Sequence, residues 1–159
     1  MGSLEQEVGS LLRKKRLTLS VVESATGGLI SHRLTNAPGS SDYYKGSVTA
    51  YSDETKVAVV GVGEETINRY GAVSARVAEE MAEGGQKVLA VDICLADTGI
   101  AGPGGATPDK PAGLFYLGLS YRGNTFSREY HFQGGREQNK QSAAEAALDW
   151  LREYLMTLK

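Results

Sequence analysis

The chain has 159 residues, of which 41% are hydrophobic and 23% charged, the balance of a soluble folded domain with a single core. Seventeen basic residues against nineteen acidic ones leave a formal charge of −2, which argues against a protein held on nucleic acid by phosphate contacts. No segment reaches the ~18 consecutive apolar residues of a membrane span, and the chain opens acidic before basic, the reverse of a secretory leader. The single cysteine, Cys94, lies in an apolar run, and the reducing cytosol is the expected compartment.

Leu4, Val8, Leu11 and Leu12 recur at helical spacing and predict an amphipathic opening helix. The basic run Arg13–Arg16 at its end suits the helix dipole. Leu17, Leu19 and Val21 alternate as in a short strand, and Glu23-Ser24-Ala25-Thr26-Gly27-Gly28 then leads into a second helix through Leu34. A break at Asn36–Ser41 precedes a strand over about 45–51. Helical pieces follow at 53–60 and 64–70, punctuated by Gly61, Gly63 and Gly71, and Ser74 caps a helix running to about Gln86. Val88–Leu95 reads as a strand covered on both faces. Residues 99–111 form a long loop, 112–121 and 126–132 a hairpin around Arg122–Thr125, and a closing helix begins near Glu137. The pattern predicts one α/β domain over residues 1–159: a three-layer α/β/α sandwich with a mixed, mostly parallel sheet of about five strands.

Glycine is the compositional outlier, at 20 residues, and its clusters stand beside Ser and Thr. No P-loop, complete dinucleotide fingerprint, GxSxG or SxxK occurs. Two histidines and one thiol give no zinc-ligand spacing, so neither a metal nor a cofactor is expected. His131 falls in an alternating edge-type strand and His32 on the second helix, both read as surface positions. What remains is a set of four polar junctions at strand or helix ends. Glu23–Gly28 puts Ser24 and Thr26 where α/β sheets bind ligands; Tyr51–Lys56, Gly99–Gly105 and Gly134-Gly135-Arg136 complete the set.

Taken in order, Glu-Ser-Ala-Thr-Gly-Gly at 23–28, Pro38-Gly39-Ser40-Ser41, Tyr51-Ser52 through Lys56, Tyr70–Ser74, Gly99-Ile100-Ala101-Gly102-Pro103 and Lys110-Pro111-Ala112-Gly113 resemble the CinA C-terminal domain family over residues 5–157. Its characterised members are nicotinamide-nucleotide amidases. The resemblance implies an α/β/α sandwich of the stand-alone form and hydrolysis of nicotinamide mononucleotide to nicotinic acid mononucleotide and ammonia. It places the motif serine on Ser24, the tyrosine and lysine on Tyr51 and Lys56, the late arginine on Arg136 and the threonine before the loop on Thr98. Thr26, Gly27, Gly28, Gly99 and Gly102 are the further expected substrate contacts. Ala25 stands where the family commonly has cysteine; a nucleophilic role for that cysteine would leave this chain a silent nucleotide-binding or interaction module.

Amide cleavage needs a nucleophile, a base and donors for the developing oxyanion. Ser24, as nucleophile or as the group that orients water, and Lys56, as base, are the candidates, with the Lys56 pKa lowered by burial or by Arg136 nearby and Tyr51 as a proton relay or donor. The amides opening the second helix are the expected oxyanion hole, and Arg136 the phosphate contact. The small-molecule nucleotide is the expected partner, with no nucleic acid or membrane, and self-association into a homo-oligomer stays open.

Overall fold

Ser3 accepts the Gln6 amide while the Gln6 side chain returns a bond to Ser3, and this capping box starts α1 (Leu4–Lys15). The helix ends at Arg16 in a left-handed conformation, and its basic run works within the fold: Arg13 pairs with Asp42 at 3.0 Å and Lys15 reaches the Leu158 carbonyl. The computed structural model describes residues 2–159.

Five strands form one mixed sheet in the order β2-β1-β3-β4-β5. β1 (Leu19–Glu23) lies between β2 (Tyr44–Thr49) and β3 (Ile93–Gly99) and is parallel to both. β4 (Leu114–Tyr121) pairs antiparallel with β3 and with β5 (Asn124–His131), so β4 alone runs against the other four. Val21 stands between Ser47 and Leu95 in this register.

Side chains alternate across β1 and β3, and each set feeds its own core. Leu19, Val21, Ile93 and Leu95 pack with α1, α2 (Leu29–Thr35) and α6 (Arg136–Thr157) on one face. Val22, Cys94 and Ala96 face α3 (Asp53–Val60) and α5 (Ala75–Val88) on the other, beside α4 (Glu64–Tyr70). No helix is long and apolar enough to cross a membrane among the described residues.

Three local readings change. β1 is buried on both faces rather than alternately, because helices cover both sides of this central strand. The apolar stretch from Val88 begins as the last turn of α5; the chain reverses at Ala90, with φ 51°, and β3 starts only at Ile93 and runs on to Gly99. The hairpin turn is two residues, Arg122 and Gly123, both at positive φ (44° and 85°), the geometry of a type I′ turn that matches strand twist.

The close seat of α5 on the sheet depends on glycine. A Cβ on Gly118 would sit 2.2 Å from the Ala78 carbonyl oxygen. Gly118→Ala is expected to lower stability by ~1–3 kcal/mol, the scale of overpacking. Urea unfolding measures this, and an unchanged midpoint would contradict the packing described.

Candidate active site

Three parallel strands end at one edge, and each hands its chain to a turn that carries polar groups. After β1, the segment from Ser24 to Gly28 folds back with Gly27 and Gly28 at φ 61° and 101°, conformations that suit glycine. After β2, Ser52 accepts the Thr55 amide and caps α3, whose fourth residue is Lys56. After β3 comes the loop from Ile100, held from below by α6: Asn139 donates to the Ala101 carbonyl at 3.0 Å and Arg136 to the Gly102 carbonyl at 2.9 Å.

These turns enclose a cleft of about 420 Å³. Ser24, Tyr51, Lys56, Thr98, Gly99 and Arg136 line it, so most of the residues expected from the sequence meet in space. At its floor the Lys56 Nζ lies 3.0 Å from Ser24 Oγ and 3.0 Å from the Tyr51 carbonyl oxygen. Both side chains are buried, Lys56 to 2% exposure. Tyr51 itself is 61% exposed, and its hydroxyl accepts from Arg136 Nη2 at 3.3 Å. The phenol therefore meets Arg136, whereas Lys56 is held by the Tyr51 main chain.

Four expected contacts, Thr26, Gly27, Gly28 and Gly102, stand outside the cleft lining, and Thr98, within it, has its hydroxyl engaged elsewhere. Thr26 is 1% exposed and buried beneath the cleft, where its hydroxyl bridges Glu23 and Asp97. Gly27 and Gly28 line a separate hollow beside His32 and Lys140, because the turn points them away from Lys56. Gly102 acts through its carbonyl as the Arg136 acceptor. Thr98 is buried and its hydroxyl donates to the Ala72 carbonyl at 2.8 Å, tying the loop before α5 to β3.

The expected oxyanion hole is also occupied. The Glu23 carboxylate accepts the amides of Gly28 (3.1 Å), Ile30 (2.9 Å) and Ser31 (2.9 Å), so the donors opening α2 serve an internal anion. The Ala25 amide, next to Ser24 on the cleft wall, donates to no acceptor among the described residues.

Sequence reasoning missed Asp97, Asn139, Asp53, Thr107 and Lys110. Asp97 lies inside an apolar strand, and a charged residue in such a run was the available signal. Asp53, Thr107 and Lys110 line the cleft, and Lys110 donates to the Tyr70 carbonyl at 2.6 Å.

Burial pushes the Lys56 pKa below the ordinary lysine value, and the charge of Asp53, joined by that of Asp97 once its carboxyl ionises, acts in the opposite sense. Burial, not Arg136, is thus what lowers it. Asp97, fully buried, is pushed up to about 6, by burial first and also by the Glu23 charge. Cys94 lies in the α5-side core with its thiol pushed up to about 12 by burial, an inert residue. His131 is exposed and bonded to Glu129 at 2.7 Å on the edge strand, away from the cleft. No group of three or more His, Cys, Asp or Glu side chains is placed to hold a metal among the described residues.

Fold and site together define a three-layer α/β/α domain with a buried serine–lysine pair at the carboxyl edge of its parallel strands. The CinA C-terminal domain matches over residues 1–155, and the chain belongs to that family. A CinA-like protein of Dictyoglomus thermophilum is 49% identical over 156 residues, covering 98% of this chain and 38% of its own length. The chain thus spans little more than a third of that relative. Among solved structures, a CinA superfamily protein of Klebsiella pneumoniae superposes with TM-score 0.94 at 30% identity, covering 98% of this chain and 97% of its own. A competence/damage inducible protein of Agrobacterium tumefaciens gives 0.88 at 34%, with 99% and 98% covered.

The electrostatics of Lys56 have a testable sign. Its ammonium is expected to titrate below the ordinary lysine value of ~10.4. Asp53→Asn removes a charge that favours the ammonium, so the midpoint should fall further. Carbon NMR of Cε-labelled lysine reads both; a midpoint that rises in the variant would contradict the account.

Proposed function

We propose that this domain hydrolyses the carboxamide of nicotinamide mononucleotide, giving nicotinic acid mononucleotide and ammonia. The observation that carries the reading is the 3.0 Å contact between Lys56 Nζ and Ser24 Oγ at the floor of the cleft. The cleft volume of about 420 Å³ suits a small ligand. A neutral Lys56 takes the Ser24 hydroxyl proton as Oγ attacks the carboxamide carbon. The unpartnered Ala25 amide donates to the oxyanion, a backbone role independent of the side chain. Lys56 then returns the proton to the departing nitrogen, ammonia leaves, and an acyl-serine remains. Water attacks it with Lys56 again as base, releasing the carboxylate and restoring Ser24. This chemistry calls for no cofactor.

The competing reading is a binding module without turnover, and it draws on Ala25. The Ala25 methyl packs with Ala101, Phe115 and Ala143 and takes no part in the Ser24–Lys56 contact, which supports hydrolysis despite the missing cysteine.

Ammonia release from the mononucleotide by the pure protein tests the proposal; none between about pH 6 and 9 overturns it. Ser24→Ala and Lys56→Ala should each lower kcat by at least ~10²-fold, the scale of a lost nucleophile or base. Residual activity above about a tenth in either variant removes that residue from the mechanism.

Two cations in the cleft wall, Arg136 and Lys110, suit the substrate phosphate. A lost charge-assisted hydrogen bond costs roughly 1.5–3 kcal/mol, about 10- to 150-fold in binding. Arg136→Ala is therefore expected to raise KM for the mononucleotide by that factor and to spare the riboside, which lacks the phosphate. An equal loss on both substrates would assign Arg136 to the reacting end, through its bond to Tyr51.

A further inference from the structure

Three oxygens stand in a row beneath the cleft: Asp97 Oδ1, Thr26 Oγ1 and Glu23 Oε1. Thr26 Oγ1 lies 2.6 Å from Glu23 Oε1 and makes a second short contact with Asp97 Oδ1. All three side chains are buried. Two oxygen-to-oxygen hydrogen bonds need two protons, and a hydroxyl carries one. The second proton must sit on a carboxyl group.

The surroundings decide which. The Glu23 carboxylate already accepts the Gly28, Ile30 and Ser31 amides and the Ser31 hydroxyl, two of these amides on Oε1 itself. Each such donor favours the ionised form. Asp97 accepts only the Ser24 amide on Oδ1 (3.1 Å) and the Thr26 amide on Oδ2 (3.2 Å), so Oδ1 keeps room for a proton. We propose that Asp97 is a positioning residue that holds the Ser24 turn as a protonated carboxyl, donating to Thr26, which in turn donates to Glu23. While that proton is in place, on the acid side of the Asp97 titration, Ser24 hangs from a chain with one negative charge rather than two. The inference rests on the amidase reading only for its catalytic consequence.

The charged groups around this chain are Glu23 at the end of β1, Lys56 and Asp53 from α3, and Arg136 from α6 on the cleft wall. When the proton leaves, Thr26 can satisfy only one of the two carboxylates. The Asp97–Thr26 contact then turns repulsive, and the acceptor of the Ser24 amide moves with it.

The test uses the whole chain labelled with ¹³C aspartate and ¹⁵N, and needs no substrate. The sequence holds six aspartates, and the carboxyl titration is read at Asp97 from about pH 5 upward, a pH above the ordinary aspartate value of ~3.9. Asp97, assigned through its backbone, should still be protonated at that pH, and the Ser24 amide resonance should shift with the same midpoint as its carboxyl. Asp97→Asn should abolish that midpoint at Ser24. An Asp97 carboxyl already ionised at about pH 5, or a high-titrating Asp97 that leaves the Ser24 amide unmoved, would overturn the proposal. The wild-type titration decides the matter even where the variant fails to fold. Absence of ammonia release would count against the amidase reading alone and leave this titration standing.

Discussion

The Glu23 carboxylate lies buried at the start of α2, taking the helix's opening amides as ligands. Burying a lone carboxylate costs several kcal/mol, and charge-assisted bonds of roughly 1.5–3 kcal/mol each offset that cost. The offset holds only if residues 24–31 wrap around one point. That wrapping forces Gly27 and Gly28 into positive φ and turns Ser24 toward the cleft. Asp97, coming from the neighbouring strand, closes the turn from the other side through the Ser24 and Thr26 amides. The two strands must therefore keep their parallel register, Val22 beside Ala96, for the serine to be in place.

Lys56 shows the complementary logic. A lysine on a helix surface would keep its proton and be useless as a base. Here α3 is capped by Ser52 and laid against α5, which places the Lys56 ammonium under the Tyr51 carbonyl and beside Ser24, out of solvent. Burial makes the base, and three strand ends share the work. The first supplies a hydroxyl, the second an amine, and the third a loop wall anchored by α6.

Much of this was legible in the sequence where local chemistry decides. Ser52, Ser74 and the glycines at 61, 63 and 71 mark the ends of α3, α4 and α5, since capping and positive φ are short-range effects. The expected start of β3 differs because Val88, exposed on the last turn of α5, and Leu89, its C-cap, are apolar without belonging to the strand, and apolar runs do not announce their period. The meeting of Ser24, Tyr51, Lys56, Thr98 and Arg136 followed from the family resemblance together with their place at strand and helix ends. The role of Thr26 did not. It depends on Asp97, 71 residues away, and a pairing of that range leaves no trace in local pattern. The amides of α2 were misassigned for the same reason, because Glu23 looks like any strand-end glutamate until the chain folds around it.

The central claim is that buried Lys56 activates Ser24 as a nucleophile. A sulfonyl fluoride, which reacts with activated serines, tests it without assuming any substrate. Intact-mass and peptide mass spectrometry should find a single adduct on Ser24 in the wild-type chain, forming faster as pH rises through the lowered Lys56 titration. Lys56→Met, which keeps the buried volume and removes the amine, should leave Ser24 unlabelled. Labelling of Ser24 at the wild-type rate in Lys56→Met would contradict the account.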